Sequence, residues 1–184
     1  ESEKDPVYLN DDFLATPIQS LNEKLFGGIP KGSNILVLGK LGGGKSNFLR
    51  NFVCDGIRRK EKCLFVTIDD NPEQVRQVLS KNLNKEINIF ENLDLIRFVD
   101  AYSWSSLTPT ESERFTVEGA LELNQLSGII ADAGHELGQT VQEKGGGRRV
   151  VDSITSLLIS FDLPSVQRFI NQIARTSLSF GGVT

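Results

Sequence analysis

A chain of 184 residues with 39% hydrophobic and 24% charged residues has the make-up of a water-soluble globular domain and is long enough for one α/β core. Its net charge of −4 and pI near 5.1 give no broad positive field of the kind that non-specific nucleic-acid binding relies on, so nucleic acid is not supported as a partner. No apolar run approaches the roughly 18 residues of a membrane helix, and Glu1-Ser2-Glu3-Lys4-Asp5 lacks the basic and apolar parts of a secretory signal, so a cytoplasmic location without membrane contact is expected.

In chain order, residues 1–14 read as an N-terminal extension of a single domain spanning 1–184. Within the lead-in, Leu21, Leu25 and Phe26 form a short amphipathic helix that ends at Gly27-Gly28, with Pro30 beyond. Asn34 to Leu38 is an apolar run predicted as a buried parallel strand. Directly after it, Gly39-Lys40-Leu41-Gly42-Gly43-Gly44-Lys45-Ser46 matches the phosphate-loop pattern G-x-x-x-x-G-K-[ST] without a mismatch, and Lys45 to Glu61 reads as a helix with Phe48, Leu49, Phe52, Val53 and Ile57 on its apolar face. The strand-before, helix-after context is what the motif requires.

The residue types carry the chemistry. Glycine lets the backbone turn tightly enough to aim successive N–H groups inward at phosphate oxygens, and the helix that follows adds its unpaired N-terminal N–H groups and the positive end of its dipole. Residues 39 to 47, Gly39 through Asn47, therefore form a predicted nucleoside-triphosphate segment. Lys45 supplies a point charge between the terminal phosphates, and the Ser46 hydroxyl coordinates a Mg²⁺ that bridges their oxygens.

A second strand, Cys63 to Ile68, closes in Asp69-Asp70. Asn71 then caps a helix opened by Pro72, with Val75, Val78 and Leu79 on one face. Leu93 to Val99 is a third strand, running into Asp100-Ala101-Tyr102-Ser103-Trp104 and a polar loop to about Glu118. Leu126, Ile130, Ala133 and Leu137 mark a helix of about five turns that closes in Lys144-Gly145-Gly146-Gly147, with His135 as a solvated residue on it. Arg148 to Ser153 is a short buried strand, and Asp152 at its carboxyl end is the second metal-ligand candidate, opposite Ser46; the alternative is a cap for the helical segment Ser153 to Ser160. A last helix, Leu163 to Leu178, covers the sheet with Val166, Phe169, Ile170, Ile173 and Ala174. Gly181-Gly182-Val183-Thr184 then reads as the start of a further strand, so C-terminal strands of the fold are expected to be missing from this chain. Cys54 and Cys63 are predicted as buried reduced thiols, and Arg58-Arg59-Lys60 and Arg148-Arg149 as helix-dipole partners and a solvated turn.

Phe26-Gly27-Gly28-Ile29-Pro30-Lys31-Gly32, the phosphate loop, Thr67-Ile68-Asp69-Asp70-Asn71-Pro72-Glu73, Val99-Asp100-Ala101-Tyr102 and Val151-Asp152-Ser153-Ile154-Thr155 together resemble the KaiC-like branch of the RecA superfamily, over roughly residues 15 to 184. The resemblance implies a RecA-like α/β fold, mainly a parallel twisted sheet flanked by helices. It also implies a cytoplasmic ATPase that binds MgATP, hydrolyses it slowly, and assembles into a ring, often a hexamer, in which a neighbour's Lys or Arg completes the site. In that family a pair of glutamates ends the second strand and polarises the attacking water; here the matching positions are Asp69 and Asp70, each one methylene shorter, which leaves turnover open. Lys45, Asp69 and Asp70 are the catalytic candidates, and Ser46 and Asp152 the metal candidates. Two other readings stand beside this one: a non-hydrolysing, ATP-gated regulatory or assembly module, and a recombination accessory ATPase on single-stranded DNA, against which the acidic balance argues.

Overall fold

Alternation of short apolar runs with amphipathic helices produces a parallel sheet packed on both faces. The fold is seen in a computed structural model, which describes residues 12–105, 113–140 and 146–184. In chain order the elements are β1 (Phe13–Leu14), α1 (Gln19–Lys24), β2 (Ile29–Pro30), α2 (Lys45–Arg58), β3 (Cys63–Thr67), α3 (Pro72–Leu83), α4 (Ile87–Asn92), β4 (Ile96–Asp100), a 3₁₀ turn (Ser103–Ser105), α5 (Leu123–Glu136), β5 (Arg148–Asp152), α6 (Ile154–Ser160) and α7 (Leu163–Phe180).

The sheet has the order β4-β3-β5, all parallel, with Thr67 level with Asp100 on one side and with Asp152 on the other. Because side chains alternate along a strand, β3 sends Cys63 and Phe65 to one face and Leu64 and Val66 to the other, and all five of its residues are buried. Cys63 and Phe65 meet α2 and α3 through Phe52, Val53, Ile57, Val75 and Leu79. Leu64 and Val66 meet α5, α6 and α7 through Leu126, Ile130, Leu157, Val166 and Phe169. Each such side chain contributes about 1.5–3 kcal/mol on burial, so the two helical layers hold the sheet from both sides. Strand order reverses beside β3, and the carboxyl ends of strands at such a switch are where open α/β sheets hold ligands.

Local chemistry sets the helix ends. The Asn71 side chain accepts from the Glu73 N–H at 2.8 Å with Pro72 at the first helical position, and Asp162 caps α7 by accepting from the Ser165 N–H at 2.9 Å. Cys54 and Cys63 are free and buried, and burial pushes the Cys54 thiol up to about 11 and the Cys63 thiol still further. His135 is exposed on α5, as expected. No helix among the described residues is long and apolar enough to cross a membrane.

Several expectations are corrected. Asn34 to Leu38 is not a buried strand: Leu36 is 67% and Leu38 81% exposed, and the segment holds no assigned ladder. Among the described residues its backbone is fastened only at the start, where the Thr184 N–H donates to the Ser33 carbonyl at 3.2 Å and the Ile35 N–H donates to the Thr184 carbonyl at 2.8 Å. Thr184 follows Val183, which bridges to Arg148 of β5, so residues 183 and 184 stand between β5 and this run. A strand is buried only where neighbours pair and helices cover it, and after Ile35 the described residues supply no such partner.

Arg148 and Arg149 are not in a solvated turn either. Both are buried inside β5, Arg148 completely. Arg148 donates to Glu61 Oε2 at 2.6 Å, the Phe52 carbonyl at 2.7 Å and Asp55 Oδ2 at 3.0 Å, and stacks on the Phe52 ring at 4.4 Å. Arg149 donates to Thr176 Oγ1 at 2.5 Å and Gln139 Oε1 at 3.4 Å and lies over Phe180; burial among neutral partners pulls its guanidinium down to about 10.

The remaining differences are small. The third strand begins at Ile96 rather than Leu93, because Ile87–Asn92 forms the short helix α4, and the helix after the phosphate loop ends at Arg58 rather than Glu61. Most of the polar loop after Trp104, the expected helix end at Lys144-Gly145, and residues 1–11 of the N-terminal extension lie outside the described residues.

Candidate functional site

The glycine loop is open to solvent. Gly42 (φ 73°) and Gly44 (φ 83°) adopt left-handed backbone, and a Cβ placed on either would meet nothing within 4 Å, so space lies above both. Gly44 is also the N-cap of α2 and offers no side chain to the helix. The first helix bond there is from the Phe48 N–H to the Gly44 carbonyl at 2.9 Å, which leaves the N–H groups of Lys45, Ser46 and Asn47 without intrahelical acceptors. N–H donors without intrahelical acceptors, the positive end of a helix dipole and an open glycine turn are the features that favour an anion. Lys45 Nζ reaches back over the loop, donating to the carbonyls of Gly39 and Lys40 at 3.0 Å each. Leu41 is fully exposed at the loop, and Asn47 is exposed in the first turn of α2.

Across the cleft, the ends of β3 and β5 supply the acidic side. The Ser46 hydroxyl donates to Asp152 Oδ1 at 3.3 Å, longer than a usual O–H···O bond, and Asp152 Oδ2 is buried with no hydrogen-bond partner among the described residues. Asp152 does not cap α6: the N-cap residue is Ser153, with no side-chain cap bond, and the Ser153 hydroxyl donates instead to Asp69 Oδ2 at 2.6 Å. The turn after β3 is tied to the same place, since the Ile68 and Asp69 N–H groups both donate to the Asp152 carbonyl, at 2.8 and 3.3 Å. Asp70 is ion-paired with Arg50, and its carbonyl accepts from the Thr67 hydroxyl. At the end of β4, the buried Asp100 accepts from the N–H groups of Tyr102 and Ser103 at 2.9 Å each, which is a turn-forming role.

The expected residues therefore do converge: Lys45 and Ser46 open α2, Asp152 faces Ser46, and Asp69 and Asp70 reach the cleft through Ser153 and Arg50. Sequence reasoning passed over Arg50 and Ser153. The signal for Arg50 was its spacing, four residues beyond Ser46 and so on the same face of the helix.

Burial pushes the Asp152 carboxyl up from the ordinary carboxylate range; the Ser46 hydroxyl and Arg50 oppose the shift, and Asp70 and Asp69 add to it. An orphaned, desolvated oxygen beside a hydroxyl fits a hard divalent cation, whose charge would favour the ionised form. Among the described residues no cluster of three or more His, Cys, Asp or Glu could enclose a metal.

A stability prediction follows for metal-free protein. With its folded pKa raised, ionised Asp152 opposes folding, a penalty absent below the unfolded pKa of about 3.9 and growing as pH rises through the folded value. Asp152→Asn keeps an acceptor for Ser46 and is expected to raise the melting temperature at pH 7, with the gap over wild type closing as pH falls towards 4. Thermal unfolding in EDTA across that range checks it; an unchanged or lowered melting temperature at pH 7 contradicts it.

A family model described as "ATPase: KaiC" matches residues 14–183. Among curated relatives, a UPF0273 protein of Methanopyrus kandleri is 29% identical over 187 residues, covering 92% of this chain and 70% of that protein. A UPF0273 protein of Pyrobaculum aerophilum is 29% identical over 151 residues, covering 82% of this chain but only half of its own length. A UPF0273 protein of Thermotoga maritima is 26% identical over 185 residues, covering 92% of this chain and 73% of that protein.

Proposed function

We propose, given that this chain belongs to the KaiC family of ATPases, that it is a single RecA-like domain, residues 1–184 with 1–14 as an extension, which binds MgATP and hydrolyses it slowly in the service of an oligomer or partner. Membership makes it a nucleotide-binding RecA-like ATPase domain; magnesium, turnover and assembly are the parts proposed. The observation that carries the reading is the meeting of Ser46 with Asp152, whose second oxygen is buried and has no hydrogen-bond partner among the described residues, next to an open glycine loop.

In this reading the main-chain N–H groups of residues 39–47 and the Lys45 ammonium hold the β- and γ-phosphates. Ser46 and Asp152 would hold Mg²⁺, which when bound neutralises charge on the phosphate oxygens. Asp69 or Asp70 orients the water, within the roughly 3 Å that a base needs. Assembly as a homo-oligomeric ring in the cytoplasm, with a neighbour's cation completing the site, belongs to the same proposal.

One observation favours a second reading, an ATP-gated module that binds without turnover: both carboxylates are short, and Asp70 is already committed to Arg50. Steady-state phosphate release from the full-length protein, paired with its solution mass with and without MgATP, separates the two. Release that is lost in Asp69→Ala or Asp70→Ala supports the enzyme. Ring formation on MgATP with no release supports the module, and neither release nor a change of mass sinks both.

A further inference from the structure

The two carboxylates after β3 are not equivalent. Asp70 is fixed at both ends, its side chain by the Arg50 guanidinium and its carbonyl by the Thr67 hydroxyl. Asp69 is exposed, and among the described residues its side chain accepts from a single neutral donor, Ser153 Oγ at 2.6 Å. Arg50 is itself hard to release, because its side chain is only 15% exposed and its Nε is buried without an acceptor, so Asp70 is its one ion-pair partner among the described residues. Leaving such a cation unpaired in a buried position is strongly unfavourable.

A carboxylate locked to a buried guanidinium has an oxygen occupied and cannot turn, whereas an exposed one held by a hydroxyl keeps lone pairs open to solvent. The two partners also sit on different elements. Arg50 is one turn beyond Ser46 on α2, and Ser153 directly follows Asp152 of β5, so each carboxylate is tethered beside one of the metal candidates.

We propose that Arg50 is a positioning residue for hydrolysis: by holding Asp70 it takes that carboxylate out of water activation, fixes the turn after β3, and leaves Asp69 as the group that faces the attacking water. The inference rests on the ATPase reading above. Water transfers a proton to Asp69 as its oxygen bonds the γ-phosphorus, and the bond to the β,γ-bridging oxygen breaks with its electron pair leaving on ADP.

The test is a kinetic cycle on the full-length protein, with kcat and KM from phosphate release and ATP affinity from calorimetry. Asp69→Asn is expected to lower kcat by roughly a hundredfold or more, in the range of a lost general base. Asp70→Asn and Arg50→Met should each lower it about tenfold with ATP affinity held, and the double variant should be no slower than the worse single, because each change removes the same contact. Arg50→Lys, which keeps the charge, should recover most of the loss. If the two single effects multiply in the double variant, if Asp70→Asn falls as far as Asp69→Asn, or if Arg50→Lys is no better than Arg50→Met, the inference is overturned while the ATPase reading stands. Wild-type protein that binds no ATP, or binds it without releasing phosphate, sinks the ATPase reading and this inference together.

Discussion

Replacing Lys45 with alanine is expected to weaken ATP binding by roughly a hundredfold while leaving the fold intact. Among the described residues Lys45 Nζ makes only two hydrogen bonds, both to carbonyls of its own exposed loop, so nothing in the described core depends on it. Alanine is also a better helix former at this first position of α2. What is lost is a charge-assisted contact to phosphate, worth about 1.5–3 kcal/mol, and at about 1.4 kcal/mol per tenfold the upper figure is roughly a hundredfold in Kd. Calorimetric titration with ATP checks the size, and titration with adenosine checks the cause. Adenosine carries no phosphate, so its weak affinity should not change. Equal ATP affinities in wild type and Lys45→Ala would remove the phosphate loop from the site.

The largest stability effect is expected from Arg148→Ala, at about 3–5 kcal/mol, the range found when one member of a buried ion pair is removed. Arg148 is wholly buried, and its guanidinium is the common partner of Asp55, Glu61 and the Phe52 carbonyl. Truncation leaves those acceptors facing a void beneath α2. With a urea m-value of about 2 kcal/mol per molar, the midpoint should fall by roughly 1.5–2.5 M. Arg148→Met fills the volume, and Asp55 and Glu61 at 16% and 21% side-chain exposure can turn towards water, so that variant should lose less. Urea unfolding of both variants tests the assignment. A shift below about 0.5 M for alanine, or a larger loss for methionine than for alanine, contradicts it.

How much of this was legible beforehand depends on whether the determining contacts are local. The phosphate loop, the Asn71-Pro72 helix start and the apolar faces of α2 and α7 are written in spacings of a few residues, and the structure keeps them. Ser46 and Asp152 lie 106 residues apart, and their pairing was expected only because each ends up at the carboxyl edge of a parallel sheet. Arg148 was misjudged because residue type alone argues for the surface. What draws it inside is a set of acceptors on α2 and at Glu61, together with Gly56, where an added Cβ would stand 2.8 Å from the arginine side chain. A helical glycine costs up to about 1 kcal/mol against alanine, and it is tolerated here because it makes room for that cation. The exposure of Leu36 and Leu38 was equally invisible, since burial of an apolar run is decided by what packs against it. The helix α4 is too short, at six residues, for a periodic pattern to be distinguished from a loop.

Thr67, Asp100 and Asp152 occupy one row across the three parallel strands. Sliding β5 by a single residue would turn its side chains to the opposite layer and set Asp152 against Val66, in the row of Val99, both wholly enclosed by hydrocarbon. An ion forced there costs several kcal/mol, so a mis-threaded sheet is rejected by the very group that gives the cleft its chemistry. The acidic strand tip thus serves as an alignment key during assembly, and neutralising it should broaden the set of pairings that the chain can sample as it folds.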